Sequence, residues 1–176
     1  MPKDYAEGVR WIQKAAEQGD AGAQFDLAEY CFNGKGTAKN PVKAAEWYRQ
    51  AAEQGHAKGQ KRLGDCYSHG HGVAQDHAQA AEWYRQAATQ GLAEAQFSLS
   101  SLYARGKGVP QDRAEAAKWC RLAAEQELDE AQKGLAELEK PSDDATPPAE
   151  TAKWYEKLAA KGGELRQALR RPFRRK

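Results

Sequence analysis

The stretch Ala44–Ala57, AAEWYRQAAEQGHA, returns at Ala80–Ala93 as AAEWYRQAATQGLA, one phrase written twice. A catalytic loop occurs once in a domain, whereas a unit that stacks on copies of itself carries the same contact residues in every copy. With Trp47 as phase marker, Trp11, Trp83 and Trp119 fall at steps of 36 residues and Trp154 at a step of 35. Gly34, Gly70 and Gly106 keep the same register, as do Gly36, Gly72 and Gly108, Leu27, Leu63 and Leu99, and Asp4, Asn40, Asp76 and Asp112. The repetition marks architecture before chemistry.

Each unit reads as two helices. From Ala57, apolar or small residues recur at Gly59, Leu63, Cys66 and Tyr67, a helical spacing that ends at the glycines of HGHGV. This is helix A. Asp76 then stands where a carboxylate caps the next helix, and Asn40 with Pro41 pairs an N-cap residue with a proline at the first helical position. Helix B carries Ala80, Ala81, Trp83, Tyr84, Ala87 and Ala88, and Gly91 ends it. Alanines let helix backbones approach closely while Trp and Tyr fill the remaining volume. One pair is too small to bury its own apolar face and has to stack on its neighbours.

The array occupies residues 1–163: an N-terminal half repeat at 4–20, full repeats at 21–56, 57–92 and 93–128, and a degenerate repeat at 129–163. In the last, PSDDATPP replaces the GxG turn before helix B resumes at Thr151–Gly162. Residues 164–176 read as a capping helix, ELRQALRR, with a basic tail.

The 27 Lys and Arg against 25 Asp and Glu give a formal charge of only +2, which argues against a nucleic-acid partner. The basic character sits in the tail, where Arg166, Arg170, Arg171, Arg174, Arg175 and Lys176 face one acid, Glu164. RRPFRRK reads as a solvated end rather than a binding motif. No window reaches the ~20 apolar residues that span a bilayer, and MPKDYAEGVR has no apolar run resembling a signal peptide. Three cysteines without CxxC spacing suit a reducing compartment. The expected location is therefore cytoplasmic, with a periplasmic or secreted one open should a leader have been removed.

The recurring small residue, Leu, Tyr, GxGV, Asp and AAxWYxxAAxxG resembles the Sel-1-like repeat, a relative of the tetratricopeptide repeat, over residues 4–162. The resemblance implies an all-α, right-handed solenoid of antiparallel helix pairs whose A helices line a concave surface. It further implies an adaptor that holds partner proteins, in bacteria sometimes for host interaction, envelope assembly or immunity to secreted toxins. The family has no shared catalytic residues. This chain departs from the pattern at Cys31, Thr37, Cys120 and Glu127, and it lacks the two cysteines per repeat of the family's cysteine-rich branch. Penicillin-binding or hydrolytic activity of that branch stays as the alternative reading.

Other constellations read as scaffold. GKGT at Gly34–Thr37 has the wrong order and context for a phosphate-binding loop. Cys66, His69 and His71 could suggest zinc, but by register His69 matches Asn33 and Arg105 on the wet side while Cys66 matches Tyr30 and Leu102 on the core side. No GxSxG, HExxH or Ser-lysine signature is present, and each cysteine takes a position that is apolar or aromatic in sister units. The expectation is no cofactor, no metal and no catalysis.

Positions fixed by stacking recur, and positions available for binding differ between units. The variable stripe of helix A reads Asp26, Glu29 and Asn33, then Lys58, Arg62, Asp65 and His69, then Glu94, Ser98, Ser101 and Arg105. Such a mixed-charge groove suits a protein partner and not a nucleic acid. Phe32, where sister units have Ser68 and Ala104, joins Arg62 and Arg105 as the expected anchors. The chain is expected to act as a monomeric interaction module, one version being an immunity protein or inhibitor of a secreted toxin.

Overall fold

A computed structural model describes residues 5–138. The chain divides into two units, Met1–Leu138 and Glu139–Lys176, and the described residues lie in the first. The PSDDATPP turn, the last helix B, the capping helix and the basic tail lie outside them.

Among the described residues there are helices and turns only: α1 (Tyr5–Glu17), α2 (Ala21–Asn33), α3 (Pro41–Glu53), α4 (Ala57–His69), α5 (His77–Thr89), α6 (Ala93–Arg105), α7 (Arg113–Glu125) and α8 (Asp129–Leu138). Helices α2, α4, α6 and α8 are A helices, and α1, α3, α5 and α7 are B helices. Each packs on its neighbours in the chain, so the α-solenoid expected from the period is the fold.

Local chemistry sets the ends. The Asp20, Asn40, Asp76 and Asp112 side chains accept backbone N–H groups at the starts of α2, α3, α5 and α7. Pro41 takes the first position of α3, where no N–H is needed. Gly34, Gly70 and Gly106 end the A helices in the left-handed region. The second glycine of each GxG turn does something different. A Cβ on Gly72 would stand 2.1 Å from the Pro41 carbonyl oxygen, and one on Gly108 2.1 Å from the His77 carbonyl carbon. That turn therefore lies on the start of the preceding repeat's helix B, backbone against backbone.

The core is built from small side chains and a few large ones. Ala44, Ala51, Ala80, Ala87, Ala116 and Ala123 are fully buried, as are Leu63, Leu99 and Leu135, while Tyr48 and Tyr84 supply bulk. The buried glutamines are satisfied in register. Gln24, Gln60 and Gln96 are buried, and their Nε2 atoms donate to the carbonyls of Ala16, Ala52 and Ala88 at the end of the preceding B helix. Their Oε1 atoms accept from Gln54, Gln90 and Gln126. Those carbonyls already accept from the Gly19, Gly55 and Gly91 N–H groups, so each glutamine adds a second donor at a helix end and ties one repeat to the next.

One residue breaks the pattern. Helices α1, α3 and α5 are followed by Gly19, Gly55 and Gly91 at positive φ, but α7 is followed by Glu127 at φ 64°. A side chain in that region costs about 1–2 kcal/mol, offset in part by the extra freedom glycine has when unfolded. Glu127→Gly is expected to stabilise the chain by about 0.5–1 kcal/mol in urea unfolding.

Candidate protein-binding surface

The A helices place their variable residues on one side of the array. Asp26, Asn33, Lys58, His69, Glu94 and Arg105 are exposed, whereas Glu29, Phe32, Arg62, Asp65, Ser98 and Ser101 are half-buried. The stripe was expected to be exposed throughout. The difference comes from helix B, whose tyrosines reach through the layer to meet it.

Tyr48 donates its hydroxyl to Glu29 Oε1 at 2.5 Å, and Tyr84 donates to Asp65 Oδ1 at 2.8 Å. Both phenols are held well above their ordinary pKa, chiefly by burial and further by those carboxylates. Arg62 Nε lies 2.7 Å from Glu29 Oε1 and its outer nitrogen 3.1 Å from Oε2, a two-point pair that joins α4 to α2. Lys61 pairs with Asp65 at 2.8 Å. Burial opposes the Arg62 charge, but Glu29 and its neighbours outweigh it and raise the Arg62 pKa. The third repeat loses both halves of the tyrosine device together: Cys120 stands in the register of Tyr48 and Tyr84, and Ser101 in that of Glu29 and Asp65. Cys120 donates instead to the Ala131 carbonyl at 3.2 Å.

The network borders a cleft of about 370 Å³ between α2, α4 and the start of α6, lined by Phe25, Glu29, Lys58, Lys61, Arg62, Leu92 and Glu94. Four of the eleven stripe residues, Glu29, Lys58, Arg62 and Glu94, meet there, with Asp65 bonded to Lys61 alongside. Asn33, His69 and Arg105 lie instead in the last turns of α2, α4 and α6. His69 and His71 stack with ring centroids 5.4 Å apart, and Phe32 packs between His71 at 5.6 Å and Tyr48 at 6.5 Å. Phe32 is thus a half-buried contact between repeats.

Sequence reasoning missed Phe25, Lys61 and Leu92, and it missed the glutamines. The last had a signal: Gln24, Gln60 and Gln96 recur at the same period as the tryptophans.

Nucleophiles are poorly placed. Cys31, Cys66 and Cys120 are buried. Burial pushes the Cys66 thiol up to about 11, with Asp65 adding to the rise, and raises Cys31 as well. Among the described residues no three His, Cys, Asp or Glu side chains converge as a metal site would need, and no helix is long and apolar enough to cross a membrane.

His56 caps α4. Its Nδ1 accepts from the Gly59 N–H at 3.1 Å, and its ring lies 4.9 Å from that of Phe25. Burial lowers its pKa; Lys58 lowers it further, while Asp26 and Asp20 oppose the shift. A protonated ring cannot accept at Nδ1, so acid removes the cap. The folded pKa lies below the unfolded value of about 6.5, so this stabilisation is complete above that pH and is lost as pH falls toward the folded pKa. Melting temperature should therefore fall more steeply below about pH 6.5 in the wild type than in His56→Asp, whose carboxylate still caps there.

Residues 1–20, 21–56, 57–92, 93–128 and 130–163 each match the Sel1 repeat family. The chain belongs to the Sel1 repeat family. No curated protein matches it. Among solved structures, it is similar to c5321, described as a protective antigen present in uropathogenic Escherichia coli strains and displaying the same fold. The two are 41% identical over 88% of this chain with a TM-score of 0.76, and the chain spans 33% of that protein. A Sel1 repeat protein from Oxalobacter formigenes is 37% identical over 74% of this chain and 98% of its own, with a TM-score of 0.68. Cysteine rich protein B of Helicobacter pylori, at 24% identity over 76% of this chain and 96% of its own and a TM-score of 0.59, shares the fold. Sel1 repeats are protein-interaction modules and are in general not catalytic.

Proposed function

We propose that this Sel1 repeat chain is a non-enzymatic adaptor that holds a partner protein on its concave A-helix face. The observation that carries this reading is the division of labour between the helices. Helix B positions repeat and are spent on burial, as with Ala44 and Ala80 or Tyr48 and Tyr84. Helix A positions on the outer stripe change from repeat to repeat, and four of them border a cleft of mixed charge. Contact surfaces that must recognise something particular differ along an array, while stacking surfaces cannot.

A protein partner suits this face better than a nucleic acid, because cations and carboxylates alternate and no single-sign field results. A narrower version is an immunity protein or inhibitor that occludes a secreted toxin. It draws on the habits of the family and on no residue of this chain. The compartment belongs to the proposal as well: three cysteines without CxxC spacing suit a reducing, cytoplasmic location.

The test is partner affinity after Phe32, Arg62 and Arg105 are changed together to alanine. The expected loss is at least about 2 kcal/mol, since aromatic and arginine anchors dominate interfaces. Affinity unchanged to within about 1 kcal/mol sinks the A-face reading. Labelling the folded chain with a thiol reagent and a β-lactam probe addresses the enzymatic alternative. Stoichiometric modification of one site would revive it, and buried thiols predict none.

A further inference from the structure

The cleft between α2, α4 and α6 is lined by three cations, Lys58, Lys61 and Arg62, and they are not all paired. Arg62 is matched by Glu29, and Lys61 by Asp65. Glu94 lies in the first turn of α6, where a negative charge is favoured by the helix dipole. Lys58 differs. It is exposed in the first turn of α4, the end at which a cation is disfavoured, and it makes no ion pair among the described residues. The corresponding positions of α2 and α6 carry Gly22 and Glu94. The same cleft has two apolar lining residues, Phe25 and Leu92, both half-buried. Lys58 thus stands against the dipole of its own helix with no ion pair to offset it, while Glu94 in the same lining is favoured by its helix.

Resting on the adaptor reading, we propose that this cleft seats a segment of the partner protein presenting a carboxylate beside an apolar side chain. The carboxylate meets Lys58, and the apolar group fills the space between Phe25 and Leu92. The volume, about 370 Å³, suits one or two side chains and not a folded domain. Arg62 is held in place by Glu29, so the wall next to the incoming acid is organised before binding.

The probe is a fluorescein-labelled helical peptide with Glu and Leu four residues apart, compared with Glu→Gln and Glu→Lys versions, titrated into the full chain. The expected result is amide shifts centred on Lys58, Leu92 and Glu94, and a Gln peptide that binds at least tenfold more weakly. Lys58→Glu should lose the Glu peptide, accept the Lys peptide, and melt at a higher temperature than the wild type because its helix start is now correctly charged. That opposition of binding and stability is not expected of a residue with a structural role alone. Equal binding of the Glu and Gln peptides, unchanged binding by Lys58→Glu, or no shift at the cleft would each overturn the proposal. A partner that depends on Arg105 and Phe32 but is indifferent to Lys58 leaves the adaptor reading standing and removes only this one.

Discussion

Gly72→Ala is expected to destabilise the chain by on the order of 3–4 kcal/mol, enough to leave it largely unfolded or aggregated at moderate temperature. Two costs coincide at this position. The backbone has φ 76°, a conformation that a side chain resists, and a Cβ would stand 2.1 Å from the Pro41 carbonyl oxygen and 2.8 Å from the Val42 nitrogen. Backbone cannot step aside as a flexible side chain does, so the turn must lift off α3 and take its repeat with it. Gly55→Ala provides the comparison. Gly55 also has positive φ, at 84°, but nothing lies within 4 Å of its Cβ position. It should lose only about 1 kcal/mol, and urea unfolding of the two variants measures the difference. Similar losses for both would show that the turn does not bear on α3.

Leu63→Ala is the second large effect. Leu63 has no exposed surface in the middle of α4, within the cluster that includes Leu27, Ala28, Ala45, Tyr48, Ala52 and Cys66. Truncation there removes the transfer term and leaves a cavity walled by two repeats, for an expected loss of about 3–5 kcal/mol. Leu122, 39% exposed on α7, should cost under about 0.5 kcal/mol when changed to alanine. Because a central repeat couples its neighbours, the Leu63→Ala transition should also broaden, with the first repeat melting before the third. A Leu63→Ala loss below about 1 kcal/mol would mean that the interface between repeats carries little of the stability.

The fold was legible because one period governs it. Trp, Gly, Leu and Asp recur together, and the GxG turns and Asx caps fall where those letters put them. Side-chain amides were harder to place, since a glutamine in the first turn of a helix reads as solvent-facing unless its recurrence at Gln24, Gln60 and Gln96 is noticed. The variable stripe of the A helices was legible in position but not in burial. A helical wheel puts Glu29 and Asp65 outward, yet the tyrosines that claim them come from another helix 19 residues downstream. Long-range pairs of that kind leave a trace only as a joint substitution, Cys120 with Ser101, whose meaning depends on knowing that the two positions touch. The cleft was legible only through Glu29, Lys58, Arg62 and Glu94: Phe25, Lys61 and Leu92 join them through the stacking of the units.

The division between a recognising A face and a structural B face is best tested by photocrosslinking along both. Benzophenone side chains placed singly at Lys58, Glu94 and Arg105, and at Glu46, Glu82 and Lys118 on helices α3, α5 and α7, occupy exposed positions on the two faces. In extracts of the organism that encodes the chain, the A-face positions should capture one common protein and the B-face positions none. Capture of that protein from Glu46, Glu82 and Lys118, with none from the A helices, would contradict the account.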